Sequence, residues 1–233
     1  MKITWFGHSA FRIDIDGASI LIDPFLDNPT FTGDKAAAAS GATHVVLTHG
    51  HDDHIGSTVE ICRDTGAVLL ANPEVVDWLT GKGVQTAEPF NHGGELDLGA
   101  FSLACVPAWH SSSSTVEGVP VYLGNPAGVV ISAPGEKTLL HMGDTGIFEG
   151  MRLTAELYAP KIGIVPIGDR FTMGPKLAAL ACKRYFDFET VIPCHYGTFG
   201  LLHGQVEHFI AEMEDAAEAV AVLVPERGVP ATL

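Results

Sequence analysis

The chain is short of cysteine, of positive charge and of long apolar runs, and each shortage excludes something. Its 4 cysteines, at positions 62, 105, 182 and 194, show no CxxC spacing. A chain this size needs no disulfide framework, so they read as reduced thiols in a cytoplasmic protein. Lys and Arg number 13 against 28 Asp and Glu, a formal net charge of −15. The basic residues are scattered, with Lys183 and Arg184 the one adjacent pair, so neither nucleic acid nor an anionic membrane surface is an expected partner. No apolar run approaches the roughly 20 residues that span a bilayer. Gly7, His8 and Arg12 interrupt the N-terminal residues before a signal-peptide core could form.

What remains is a chain of 233 residues, 46% hydrophobic, with 11 histidines. It reads as one domain over 1–233, large enough to bury roughly 70% of its unfolded surface without help from a metal. Any metal it binds is therefore expected to be functional.

Phe11, Ile13 and Ile15 alternate with polar residues, Asp16-Gly17 turns the chain, and Ile20-Leu21-Ile22 returns, which predicts a hairpin. His44 to Thr48 predicts a strand ending in a His-rich turn, followed by a helix from about Ile55 to Gly66, a strand at Val68 to Leu70 and a helix opened by Pro73. Short strands are predicted at 101–106, 121–123, 129–132 and 138–141, with Ser111 to Ser114 as a loop tip. A helix near 153–158, a strand at 162–166, a helix from Pro175 and a strand at 191–193 follow. A last helix is predicted to place Val206, Phe209, Ile210 and Met213 on one face. The pattern is two sheets sandwiched between helices.

Residues 49–54 have the form HxHxDH. Alternate residues of an extended chain face the same way, so His49 and His51 can present two imidazoles to one cation, while the turn at Asp52 swings Asp53 and His54 toward a second. Further donors should follow other strands, where a rigid sheet places them. His110, Asp144 and His195 each follow such a run.

HxHxDH followed by a distant His, Asp and His resembles the ligand series of the metallo-β-lactamase superfamily, over nearly the whole chain. Trp5-Phe-Gly-His-Ser9, Asp23-Pro24, His141-Met-Gly-Asp-Thr145, the 166–174 segment and His195-Tyr-Gly-Thr-Phe199 resemble a branch of small bacterial and archaeal metal-dependent hydrolases, similar to the L-ascorbate-6-phosphate lactonases. The resemblance implies an α/β fold, a four-layer αββα sandwich of two mixed sheets flanked by helices. It makes His49, His51 and His110 ligands of one metal and Asp53, His54 and His195 ligands of a second, with Asp144 bridging. Asp23 is then expected either to fix a ligand imidazole or simply to cap its turn. His141 is read as a support beside the ligands.

Two divalent cations about 3.5–4 Å apart lower the pKa of a shared water, and the bridging hydroxide attacks a carbonyl or phosphoryl centre. The donor set suits Zn²⁺ best and admits Mn²⁺ or Fe²⁺. Asp53, Asp144 and His8 are the expected catalytic residues, with His8 orienting substrate or assisting proton transfer, or else serving only as a turn histidine. In the loop before the Pro175 helix, Arg170, Thr172 and free backbone N–H groups are expected to meet an anionic group. The leading expectation is hydrolysis of a small, anionic lactone or ester. A phosphodiesterase for a nucleotide or phospholipid headgroup, and a non-catalytic metal-stabilised metabolite-binding protein, are the alternatives. A homo-oligomer is expected by analogy alone.

Overall fold

The computed structural model describes residues 1–233. Strands β1 (Lys2–Trp5), β2 (Phe11–Ile15) and β3 (Ala18–Ile22) form an antiparallel meander. After helix α1 (Lys35–Ala39), strands β4 (His44–Val46), β5 (Val68–Ala71) and β6 (Ala87–Pro89) add to β3 in parallel. Their crossovers carry helices α2 (Asp52–Ile55), α3 (Thr58–Thr65) and α4 (Pro73–Thr80).

The second half builds another sheet from β7 (Glu95–Asp97) and β8 (Ser102–Pro107), a separate ribbon of β9 (Ser113–Val116) and β10 (Val119–Tyr122), then β11 (Ala127–Ser132) and β12 (Leu139–His141). Helix α5 (Met151–Tyr158), β13 (Ile162–Pro166), α6 (Pro175–Tyr185), β14 (Thr190–Cys194), α7 (Val206–Met213), β15 (Ala221–Val222) and β16 (Ala231–Thr232) complete the chain. The first sheet runs β16-β1-β2-β3-β4-β5-β6 and the second β15-β14-β13-β12-β11-β8-β7, each with parallel and antiparallel pairs.

Alternation along the strands shows how the layers stack. Ile20, Ile22 and Val46 point toward the second sheet and pack in one core with Leu103, Val129 and Ile131. Their neighbours Leu21, Val45 and Leu47 point the other way, into a second core with Ile61, Val75 and Leu79 of α3 and α4. Ala178, Ala181 and Phe209 bury α6 and α7 against the other sheet. Buried on both faces, β3, β13 and β14 have no exposed residue. The architecture is the expected four-layer αββα sandwich. No helix is long and apolar enough to cross a membrane.

Three local expectations are corrected. The helix expected from Ile55 is broken at Gly56, whose φ of +43° and closeness to the Pro24–Phe25 backbone leave no room for a side chain. Ser111 to Ser114 is no loop tip, because Ser113 begins β9 and Ser112 and Ser114 are buried. Ile210 is 45% exposed, while Phe209 and Met213 anchor α7.

Candidate metal centre

All the expected donors lie beyond strand ends at one edge of the sandwich. Thr48, just after β4, gives its backbone N–H and its hydroxyl to the two oxygens of buried Asp23, at 2.8 and 2.6 Å. That fixes the start of the 49–54 loop. Gly50 donates its N–H to Ser112 Oγ at 3.0 Å, and Ser112 donates to the Leu123 carbonyl at 2.7 Å. A side chain at position 50 would strike Leu123. Ser114 donates to Asp52 Oδ1 at 2.6 Å, so the β9–β10 ribbon braces the loop twice. His51 then caps the single turn α2, which carries Asp53 and His54.

The side chains converge in two sets. The donor atoms of His49, His51 and His110 lie within 4.8 Å of one another, as do those of Asp53, His54, His195 and His8. Asp144 Oδ2 joins the sets, at 2.9 Å from His195 Nε2, 3.4 Å from His54 Nε2 and 3.5 Å from His110 Nε2. Asp23, His49 and His54 make a third such trio, but the Asp23 oxygens are already taken. Besides Thr48, Asp23 Oδ2 accepts from His54 Nδ1 at 2.8 Å.

Proton bookkeeping tests whether these residues fit a cation. Because Thr48 gives its hydroxyl proton to Asp23, its oxygen must accept from His49 Nδ1–H at 3.0 Å. His49 Nε2 is then a lone pair, 2.8 Å from His51 Nδ1. His54 spends its Nδ1–H on Asp23, so its Nε2 faces the Asp144 carboxylate with room for a second proton or a cation. His54 Nε2 and Asp144 Oδ1 are buried with no hydrogen-bond partner. Such orphans call for a positive charge between them.

The ionisation of the site has the same logic. Burial holds His49 neutral, well below the usual imidazole range, with the neighbouring His54 adding to the effect. Burial likewise lowers His51 and His110. His54 differs: although burial opposes its charge, Asp144 and Asp23 outweigh that and raise its pKa well above 6.5. Burial also opposes ionised Asp144, yet His195 and His54 hold it well below the carboxylate range. A divalent metal binds neutral imidazoles and ionised carboxylates; His49, His51, His110 and Asp144 already have that form, and His54 would give up its extra proton to the ion.

His8 is fully buried, at φ +50°. Its Nε2 lies 3.1 Å from Asp53 Oδ2 and its Nδ1 3.0 Å from Thr198 Oγ1. Burial outweighs the Asp53 contact and lowers its pKa to about 4. A neutral His8 facing an ionised carboxylate must donate from Nε2, so Nδ1 accepts from the Thr198 hydroxyl. Asp53, despite burial, is held well below the carboxylate range by His8 and then His54. His141 is also buried: its Nδ1 accepts from Gly143 N–H at 3.0 Å and its Nε2 donates to the Ser9 carbonyl at 3.3 Å. It holds the turn before Asp144. His8, Asp23, Asp169, Arg170 and His195 are five of the seven non-glycine residues at positive φ; strain of this kind concentrates where surroundings hold a site in shape.

The 169–173 loop corrects one expectation. Its backbone N–H groups are spent inside the protein: Arg170 on Asp169 Oδ1, Thr172 on the Asp169 carbonyl and Met173 on the Thr145 carbonyl. Thr172 directs its hydroxyl to the Met173 carbonyl at 3.3 Å. Within residues 169–173, the exposed Arg170 guanidinium is what remains for an anion. Thr145, Thr198 and Ser112 carry no motif of their own in the sequence, though Thr145 and Thr198 fall in the segments 141–145 and 195–199 that surround Asp144 and follow His195.

Residues 18–230 match a β-lactamase superfamily domain. The chain is 59% identical over 214 residues to a UPF0173 metal-dependent hydrolase of Methylocella silvestris, covering 91% of this chain and 92% of that protein. It is 54% identical to a UPF0173 metal-dependent hydrolase of Chelativorans, covering 98% of each. Igni18, a metallo hydrolase of Ignicoccus hospitalis, superposes with a TM-score of 0.87 at 37% identity, over 100% of this chain and 98% of that one. With its αββα fold and its His/Asp cluster, the chain belongs to the β-lactamase superfamily, among its metal-dependent hydrolases.

Proposed function

We propose that the chain binds two divalent cations and hydrolyses a small, anionic lactone or ester. His49, His51 and His110 would hold one ion, Asp53, His54 and His195 the other, with Asp144 shared. The observation that carries this reading is Asp144 Oδ2 lying within 3.5 Å of ring nitrogens from both sets. Mixed imidazole and carboxylate donors favour Zn²⁺ and also admit Mn²⁺ or Fe²⁺. Such a pair supplies Lewis acidity and brings the pKa of water toward neutrality.

The chain's own groups do the rest. Asp53, a third exposed where Asp144 is 3% exposed, is the carboxylate facing the mouth and accepts the proton shed during attack. His8 keeps that carboxylate in place and is a positioning residue. Asp23 and Thr48 fix the rings of His54 and His49 in the tautomers that leave each Nε2 free. Arg170 meets the negative group of the substrate, with Thr172 beside it. The test is metal analysis of reconstituted protein with a panel of phosphorylated sugar lactones, simple esters and bis-p-nitrophenyl phosphate. Lactone or ester turnover supports the reading, whereas turnover of the diester alone would replace it with a phosphodiesterase.

A further inference from the structure

We propose that the substrate also carries an apolar chain or ring, which an aromatic rim at the metal edge receives while Arg170 takes its negative group; this rests on the hydrolase reading above. The chain has 3 Trp, 4 Tyr and 12 Phe, and only Trp109, Tyr122, Phe171 and Phe199 among them are exposed. All four hang from segments that build the centre. Trp109 precedes His110 and is 72% exposed, yet its backbone is held twice. Its N–H donates to Thr145 Oγ1 at 2.9 Å, and its carbonyl accepts from Gly146 N–H at 3.1 Å. Phe171 sits on the 169–173 loop, which Met173 N–H ties to the Thr145 carbonyl at 3.0 Å. Thr145, next to Asp144, therefore pins both aromatic loops.

Phe199 follows His195 in the chain, its ring 5.5 Å from that of His8 and 6.4 Å from Phe25. Tyr122 ends the ribbon that braces Gly50 through Ser112 and Leu123. Exposed aromatics scattered singly need no explanation, but all four lie on segments that carry or brace the donors, as the residues rimming a binding site would. Arg170 makes no ion pair with a carboxylate, and its guanidinium lies 5.5 Å from the Phe171 ring centroid. A cation beside an exposed aromatic ring matches an anion with an apolar body, a combination that a bare phosphorylated sugar lacks.

The test uses the metal-loaded full chain and the series acetate, butyrate, hexanoate and octanoate, with binding read by titration calorimetry in the unaltered protein and in every variant. Affinity is expected to rise about two- to fourfold per added methylene. In the double variant Trp109→Ala, Phe171→Ala the dependence should disappear with metal content unchanged, and Arg170→Gln should weaken all members of the series by a similar factor. Equal affinity across the series in the unaltered protein, a slope that survives the double variant, or a change in the variant's sedimentation that assigns the rim to a contact between copies would each overturn the proposal. The matching p-nitrophenyl esters separate it from the hydrolase reading. Cleavage with no preference for chain length leaves the hydrolase and removes the rim; a binding slope without cleavage of any ester or lactone leaves the rim and removes the ester chemistry.

Discussion

His8 and Asp53 lie 45 residues apart in sequence and 3.1 Å apart in space, imidazole Nε2 to carboxylate Oδ2. Thr198 fixes the other nitrogen of His8, so a hydroxyl, a buried imidazole and a carboxylate form one line into the metal centre. Groups that orient a ligand from behind typically contribute ten- to a hundredfold to metal affinity or activity. His8→Ala is expected to weaken the metal proposed at Asp53 about 10- to 100-fold in chelator competition, and Thr198→Val to do so by a smaller factor. His8→Gln, which keeps a donor toward Asp53, should recover part of the loss. Unchanged affinity in both His8→Ala and Thr198→Val would remove the line from the site.

Removing the shared carboxylate should do more. Asp144→Asn keeps the shape of the side chain but not its charge, and leaves His54 Nε2 facing a neutral amide. Metal content is expected to fall by about one equivalent and kcat by about 100-fold or more. Elemental analysis on purified, dialysed protein checks the first and steady-state kinetics the second.

Metal uptake should release protons. His54, raised well above 6.5 by Asp144 and Asp23 against the cost of burial, holds a proton in the metal-free protein that a cation must displace. His49, His51 and His110, lowered chiefly by burial, hold none at neutral pH. Apparent affinity should therefore rise about tenfold per pH unit from pH 6.5 toward the folded pKa of His54. Calorimetry in buffers of differing ionisation enthalpy should count about one proton per protein.

Acid should destabilise the metal-free fold. His8 and His141 have lowered pKa values, His8 to about 4, so the stability of keeping them neutral is fully present above 6.5 and is lost as pH falls toward their folded values. His54 has the opposite sign: its contribution is complete below 6.5 and is lost as pH rises through its raised value. A fall in Tm on the order of 5–10 °C between pH 7 and pH 4 is expected from His8 alone. His8→Gln should remove that part of the fall.

Gly143 is the backbone counterpart. At φ +62°, with the Ala127 carbonyl where a Cβ would stand, it sets the turn between His141 and Asp144. Gly143→Ala should cost about 2–3 kcal/mol in denaturant unfolding and should shift Asp144 enough to lower metal content. A fully loaded, equally stable variant would contradict this.

The donors were legible because their signal is local. HxHxDH is a six-residue pattern, and His110, Asp144 and His195 each follow a run of strand-forming residues. The layered fold was legible from the same alternation that sends Leu21 and Ile22 into different cores. What stayed hidden depends on tertiary contact. Ser112 and Ser114 read as a loop tip because nothing near them in sequence shows that Gly50 and Asp52 lie against them. The 169–173 loop resembled an anion cradle until its N–H groups were found bonded within the protein, one of them to Thr145. The contacts of His8 with Asp53 and Thr198 stayed hidden because they join residues 45 and 190 positions away.

The central claim is a two-metal hydrolase joined at Asp144, and it is tested most directly by following lactone and ester hydrolysis while Zn²⁺ or Mn²⁺ is added to the metal-free chain. Two tightly bound equivalents, with turnover rising to its maximum as the second is added, is the predicted result. Saturation at one equivalent or fewer, or full activity before the second ion binds, would contradict it.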